Sequence, residues 1–470
     1  MLRLLAALLL LAAAPLAAQK PNFVILFADD LGYGDLGVYG SSTIRTPRLD
    51  RMAREGLRFT DFYAAAPFCS PSRASILTGR LPVRAGVPNV LFPTERTGLP
   101  PEELTLAELL KPAGYATAAI GKWHLGWPEP LRAQRQGFDF FFGLPYSNDM
   151  DEKPADEPFR AQHALWRLPL LDNDAVVEAP VRQQTLTRRY TERAVEFLRR
   201  NRDRPFLLYL PHTFPHTPLY ASEDFEGRSP HGLYADAVEE LDWSTGVILD
   251  ELEELGLTER TMVVFTSDNG PTRAPNDGKG RFGWRGAGGS AGPLRGRKGN
   301  TFEGGMRVPA IFRGAGIPPG RTTPQVASIL DLLPTFAALA GVEPPAGRTL
   351  DGRSLAPLLA GDVEALPEKP FFYYFGAQLQ AVRLGRWKLF LQIDQYPERP
   401  SSIWYDLQDG LFERHYRLLP QPELYDLEAD IAESHDVAGE HPELVELLTR
   451  VADTHDAALR RDSTPLYFTQ

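Results

Sequence analysis

The chain has 470 residues, 43% hydrophobic and 24% charged. This ordinary globular composition, with length enough for two buried cores, excludes a protein disordered from end to end. A formal charge of -11 excludes general affinity for nucleic acid, which needs a basic face, and the single cysteine, Cys69, excludes an intramolecular disulfide.

Residues 2 to 18 (LRLLAALLLLAAAPLAA) put one Arg ahead of an apolar run too short to span a bilayer, followed by small residues. The pattern predicts a signal peptide over residues 1–18. A buried N-terminal helix is the plainer alternative, but no polar residue between Leu4 and Ala14 would give it a solvated face. The mature chain is therefore expected outside the cytoplasm, periplasmic or secreted. It is expected to have no stable membrane insertion, because no later stretch is apolar enough to cross.

Asn22 to Ala28 (NFVILFA) predicts a central strand buried on both faces, and it stops at Asp29-Asp30. Adjacent carboxylates repel, so keeping both ionised requires a cation or several N–H donors; a pair that merely caps a turn is the alternative. A helix is predicted over Pro47 to Glu55. Next comes Cys69-Ser-Pro-Ser-Arg73-Ala-Ser-Ile-Leu77-Thr78-Gly79-Arg80. Pro71 and its small polar neighbours suit the first turn of a helix, whose amides and dipole favour an anion at Cys69, and Arg73 one turn on adds a full charge. Taken alone, the cysteine could equally be a small buried hydrophobe.

A helix is expected over Glu102 to Lys111, then the segment Gly121-Lys122-Trp123-His124-Leu125-Gly126, and Ser147 within Leu-Pro-Tyr-Ser-Asn-Asp. A lone Lys-x-His would usually be a solvated loop, and residues 147 to 181 carry no readable code. Arg189 to Arg200 aligns Tyr190, Ala194, Phe197 and Leu198 on one helical face. Phe206 to Leu210 predicts a strand that ends in a turn holding His212 and His216. Tyr234 to Glu254 predicts a long helix, and Thr261 to Thr266 a strand that ends in Ser267-Asp268-Asn269-Gly270.

The oxygens of Asp268 and Asn269 would join those of Asp29 and Asp30. Neither cluster has a neighbouring His in sequence, which argues for a hard cation, Ca²⁺ with Mg²⁺ as the alternative, over Zn²⁺. Gly278 to Gly299 holds nine glycines and six cations with no acidic residue. A basic loop that delivers Lys298 and attracts an anion suits this stretch better than an RNA-binding arginine-glycine segment. After Leu359, strands are expected at Phe371 to Phe375, Ala381 to Arg383 and Trp387 to Gln392, with a final helix from Glu443 to Arg460.

Strands alternating with amphipathic helices predict an α/β fold: a mixed, mostly parallel sheet flanked by helices, with ligands beyond the carboxyl ends of its strands. This domain is expected over 19–365, followed over 366–470 by a smaller α+β domain with an antiparallel sheet.

The segment from Cys69 to Arg80 matches the sulfatase signature C-x-P-S-R-x-x-x-L-T-G-R at every defined position. The chain therefore resembles the formylglycine-dependent sulfatases, in particular the arylsulfatase A and N-acetylgalactosamine-6-sulfatase branch. That resemblance implies an alkaline-phosphatase-like fold and hydrolysis of sulfate monoesters, on sulfated carbohydrates in preference to simple aryl sulfates. It implies oxidation of Cys69 to formylglycine by a formylglycine-generating enzyme. Asp29, Asp30, Asp268 and Asn269 match the calcium ligands, with the modified Cys69 side chain also touching the ion, and Arg73 steadies the formylglycine hydroxyls. Lys122 and His124 fall in the family's G-K-W-H-L-G segment, one neutralising a sulfate oxygen and the other bonding the nucleophile. His216, in its His-x-Pro context, and Lys298 match residues that contact sulfate and leaving oxygen; Ser147 matches a serine near the sulfate. His212 is left as structural. Arg297 departs from the pattern, standing where relatives often carry Gly.

Two rivals remain at this stage: a phosphate or phosphonate monoester hydrolase on the same scaffold, and a non-catalytic binder of sulfated polysaccharide.

Overall fold

The computed structural model describes residues 20–151, 167–272, 288–395 and 418–468; the expected signal peptide lies outside them. An eleven-stranded sheet runs through the larger part of the molecule. At its centre five strands lie parallel in the order Thr261–Ser267, Asn22–Ala28, Phe206–Pro211, Ala116–Lys122 and Phe140–Leu144. Beyond the first of these, Arg307–Arg313 runs antiparallel and pairs with Gly56–Tyr63, also antiparallel. The other flank is finished by the antiparallel strands Leu170–Asp172 and Ala175–Glu178.

Alternation along Asn22–Ala28 shows why this strand is apolar throughout. Phe23, Ile25 and Phe27 enter one core, and Val24, Leu26 and Ala28 enter the other. The first core is closed by helices that include Cys69–Thr78 and Leu332–Ala340, the second by Leu186–Asn201 and Leu233–Glu254.

The strands expected at Asn22 to Ala28, Phe206 to Leu210 and Thr261 to Thr266 are present, the last two each one residue longer. The helix expected over Glu102 to Lys111 is shorter, Leu106–Leu110. Thr105 starts it by accepting from Glu108 N while the Glu108 side chain accepts from Thr105 N, so the residues before Thr105 stay outside.

A second, four-stranded antiparallel sheet follows: Phe371–Phe375, Gln378–Leu384, Trp387–Phe390 and Glu423–Asp426. Helix Pro442–Arg461 covers one face through Leu448 and Ala452 against Val382, Leu389 and Leu424. The other face packs Tyr373 and Phe390 on Tyr63, Phe302 and Met306 of the larger part. The chain then returns, Tyr467–Phe468 pairing with Thr97–Gly98. Among the described residues no helix is long and apolar enough to cross a membrane.

Candidate active site

Each of the five central parallel strands supplies site residues from its carboxyl end. Asp29 and Asp30 follow Asn22–Ala28, Lys122 ends its own strand, Ser147 follows Phe140–Leu144, His216 follows Phe206–Pro211, and Asp268 and Asn269 follow Thr261–Ser267. Cys69 and Arg73 come from helix Cys69–Thr78, and Lys298 from the loop before the short helix Glu303–Met306. All of them are buried except Lys298, which is partly exposed.

Charges interlock tightly. Lys122 Nζ donates to Asp29 Oδ2 at 2.5 Å and to Ser147 Oγ at 3.0 Å. Arg73 spans the cluster, donating through Nη2 to Asp268 Oδ2 at 2.9 Å and through Nη1 to the Lys122 carbonyl at 2.8 Å, with Asp29 Oδ2 3.3 Å away. Lys298 Nζ lies 2.6 Å from Asp30 Oδ1, which also accepts from Asn269 Nδ2 at 2.7 Å. Asp30 sits at φ 64, in the left-handed region, and its backbone N–H donates to Asp268 Oδ1 at 3.1 Å.

Burial pushes both aspartates at the first strand tip upward. Lys122 and Arg73 outweigh it at Asp29, and Lys298 and His216 at Asp30, holding both below the usual carboxylate range. At Asp268 burial and the charge of Asp29 prevail over Arg73, and its carboxyl is pushed up.

Two side-chain oxygens in this cluster, Asp29 Oδ1 and Asn269 Oδ1, are buried with no hydrogen-bond partner among the described residues. Orphaned buried acceptors among carboxylates are what a bound cation would satisfy, and an all-oxygen donor set suits Ca²⁺ or Mg²⁺. The absence of a sequence-adjacent histidine did not carry over into space. His216 arrives from another strand, its Nε2 3.7 Å from Asp30 Oδ2, and with Asp29 and Asp30 it forms an acidic cluster able to hold a metal.

Cys69 is the first residue of its helix, as Pro71 suggested. Burial pushes its thiol up; Lys122 and Lys298 pull the other way, and Asp29 and Asp268 add to the rise. The thiol is neutral, in contrast to cysteine nucleophiles, whose environments depress the pKa.

The histidines differ by their partners. His124, at φ 57, has Nε2 2.8 Å from the Leu91 carbonyl, so that nitrogen carries the proton, and Nδ1 is buried with no partner among the described residues. Burial, reinforced by Lys122 and Arg73, keeps the ring neutral. His216 Nδ1 donates to the Thr217 carbonyl at 2.5 Å, so its Nε2 is an acceptor until the ring gains a second proton. Burial and Lys298 oppose that gain; Asp30 favours it. Lys298 resists loss of its proton because Asp30 outweighs the cost of burial, which makes it the standing donor. His212 has no hydrogen-bond partner at either nitrogen among the described residues, and its ring lies tilted beside Tyr190, 6.5 Å between ring centres.

Thr272 was not foreseen. Its hydroxyl donates to Asp30 Oδ2, and nothing in Gly-Pro-Thr distinguishes it from an ordinary turn residue. Ser267, visible only as part of a strand end, braces the tip by accepting from Leu31 N at 3.0 Å and donating to the Asn269 carbonyl at 3.0 Å.

The mixed, mostly parallel sheet with charged strand tips, joined to a small antiparallel sheet, is the alkaline-phosphatase-like α/β architecture shared with solved sulfatases. The sulfatase family profile matches residues 21–342, and the profile of the C-terminal region of aryl-sulfatase matches residues 366–467. Steryl-sulfatase of Mus musculus is 43% identical, over 81% of this chain and 73% of its own length. N-acetylgalactosamine-6-sulfatase of Canis lupus familiaris is 44% identical, over 81% and 74%. Among solved structures, the PsFucS1 sulfatase from Pseudoalteromonas sp. superposes with a TM-score of 0.82 at 28% identity, over 96% of this chain and 92% of that one. The chain belongs to the sulfatase family, and it is a sulfuric ester hydrolase. The mouse steryl-sulfatase is about as similar to it as the branch singled out from sequence, whereas the rat and human steryl-sulfatases are 39% and 37% identical.

Proposed function

We propose that the chain hydrolyses sulfate monoesters of carbohydrates at this cluster, with a formylglycine made from Cys69 by a formylglycine-generating enzyme and a calcium ion held by Asp29, Asp30, Asp268 and Asn269. The observation that carries it is a cluster in which Arg73, Lys122 and Lys298 pair with Asp29 and Asp30 beside two orphaned oxygens, with the buried Cys69 thiol inside the field of those same charges. A neutral buried thiol is a poor nucleophile, which favours its conversion over its direct use. When present, the formylglycine hydrate supplies the attacking oxygen and the cation lowers the energy of its deprotonated form.

The chain's own residues do the rest. Lys122, steadied by Asp29 and Ser147, neutralises a sulfate oxygen. Arg73, its fork held by the Lys122 carbonyl and Asp268, brings its charge to bear on the group at position 69. His124 accepts a proton at Nδ1, and Lys298, with His216 once protonated, faces the departing alcohol. Export directed by residues 1–18 would put this chemistry in the periplasm or outside the cell. Sulfated sugars are preferred because one relative is named for a sulfated amino sugar, although another is named for sterols.

Paired aryl sulfates and phosphates at neutral pH, with a panel of sulfated sugars and steryl sulfate, test the reading. Turnover of the sulfate monoanion and of at least one sugar is expected. Faster phosphate hydrolysis would point to the phosphatase alternative, and steryl sulfate alone would overturn the sugar assignment.

A further inference from the structure

The loop that delivers Lys298 is gripped at both ends by the small sheet and its following turn. Upstream, Arg295 Nη1 donates to the Glu433 carbonyl at 2.6 Å. Downstream, Glu303 N donates to Glu433 Oε2 at 2.8 Å, Lys388 Nζ donates to the Thr301 carbonyl at 2.9 Å, and Thr301 Oγ1 donates to Gln380 Oε1 at 2.8 Å. Lys388 also lies 2.9 Å from Glu303 Oε1 and 2.8 Å from Glu433 Oε1, with all three side chains fully buried. On the opposite side, Lys298 N donates to the Pro271 carbonyl at 3.1 Å and Gly299 N to the Pro67 carbonyl at 3.0 Å.

Stability does not account for this arrangement. Burying charges costs desolvation that apolar residues of the same volume would avoid, so such a network is weak evidence of stabilisation. What it supplies is direction: apart from the Lys388–Glu433 pair that ties the two clipping residues together, these bonds end on the segment that carries Lys298 or on the Glu303 side chain that closes it.

We propose that Glu433 and Lys388 are positioning residues for Lys298, fixing the 295–303 segment so that its ammonium is held at the departing oxygen. The proposal rests on Lys298 assisting the leaving group as described above. None of the three clipping residues, Glu433, Lys388 and Gln380, touches the reacting atoms.

The test is the dependence of kcat on leaving group, measured with para-nitrophenyl sulfate, whose phenolate departs without help, and with an alkyl or sugar sulfate, whose alkoxide needs it. Lys298→Ala, Glu433→Ala, Lys388→Met and the milder Thr301→Val are compared below their melting temperatures. For Glu433→Ala and Lys388→Met, kcat should fall about tenfold or more on the alkyl ester and no more than about threefold on the aryl ester, with KM little changed. Glu433→Gln, which keeps an acceptor for Glu303 N, should recover part of the loss, and Thr301→Val should show a smaller split in the same direction. Equal losses on both esters, or no loss, while Lys298→Ala shows the split, would overturn the positioning role alone. Absence of the split in Lys298→Ala would overturn the role of Lys298 and the proposal with it. If Glu433→Ala and Lys388→Met fail to fold, Thr301→Val and Glu433→Gln decide on the same criterion.

Discussion

Arg73 shows how much one side chain organises. Its fork joins the end of one strand to the tip of another, binding the Lys122 carbonyl and Asp268 while lying against Asp29. A point charge cannot reproduce that geometry, so Arg73→Lys is expected to lower kcat about a hundredfold or more with the fold retained, checked by steady-state kinetics beside a circular dichroism spectrum. His124 sets the acid side of the pH profile. Because burial and two cations hold its ring well below the ordinary value of 6.5, it stays an acceptor as pH falls, and the acid limb of kcat/KM should lie below that value. A limb at or above it would contradict the assignment. Much at this scale was legible, since Asp29, Asp30, Asp268 and Asn269 each interrupt an apolar run. The proximity of His216 and Thr272 to Asp30 was not, because sequence distance conceals which strand tips adjoin.

Among the elements, continuous apolar strands were the easiest to recognise. Ala116–Lys122 was not predicted: its mostly small side chains lack the aromatic texture of its neighbours, and pairing with Phe206–Pro211 on one side and Phe140–Leu144 on the other makes it a strand. Gly56–Tyr63 was missed because Arg58, Thr60 and Asp61 interrupt its apolar pattern. Glycine matters where elements meet. A Cβ on Gly270 would stand 1.8 Å from the Gly304 carbonyl, so Gly270→Ala must push the metal-side strand tip away from the Lys298 segment, with loss of activity and a lower Tm expected.

His212, on the turn after Phe206–Pro211, gives a sign-definite prediction. Burial lowers it to about 3 from 6.5, so below 6.5 the unfolded chain takes a proton that the folded ring refuses. Stability is whole above that pH and falls as pH drops, by at most about 1.4 kcal/mol per pH unit. His212→Phe should flatten the decline of Tm between about pH 7 and pH 5. An unchanged slope would contradict a neutral buried ring.

At the scale of the molecule, the larger sheet builds a cluster of opposed charges in which Asp29 Oδ1 and Asn269 Oδ1 lack partners among the described residues, a lack that the proposed divalent cation would satisfy. Binding to the folded state alone should raise stability by about 2.7 kcal/mol at a roughly hundredfold excess over Kd. Calcium added after chelation should therefore raise Tm, and Asn269→Ala should weaken that rise; a Tm indifferent to chelator and calcium would remove the cation from the account. The α/β class and the antiparallel tail were readable from alternating periodicities. The grip of the small sheet on the Lys298 loop was not, because Lys388 and Glu433 look like surface charges until the fold buries them.

The central claim is that Cys69 is converted before it acts. Mass spectrometry of the Cys69 peptide, from active protein made in a host with formylglycine-generating enzyme, tests this most directly. The account predicts the mass of the aldehyde, in proportion to specific activity. An unmodified thiol in fully active protein would contradict it.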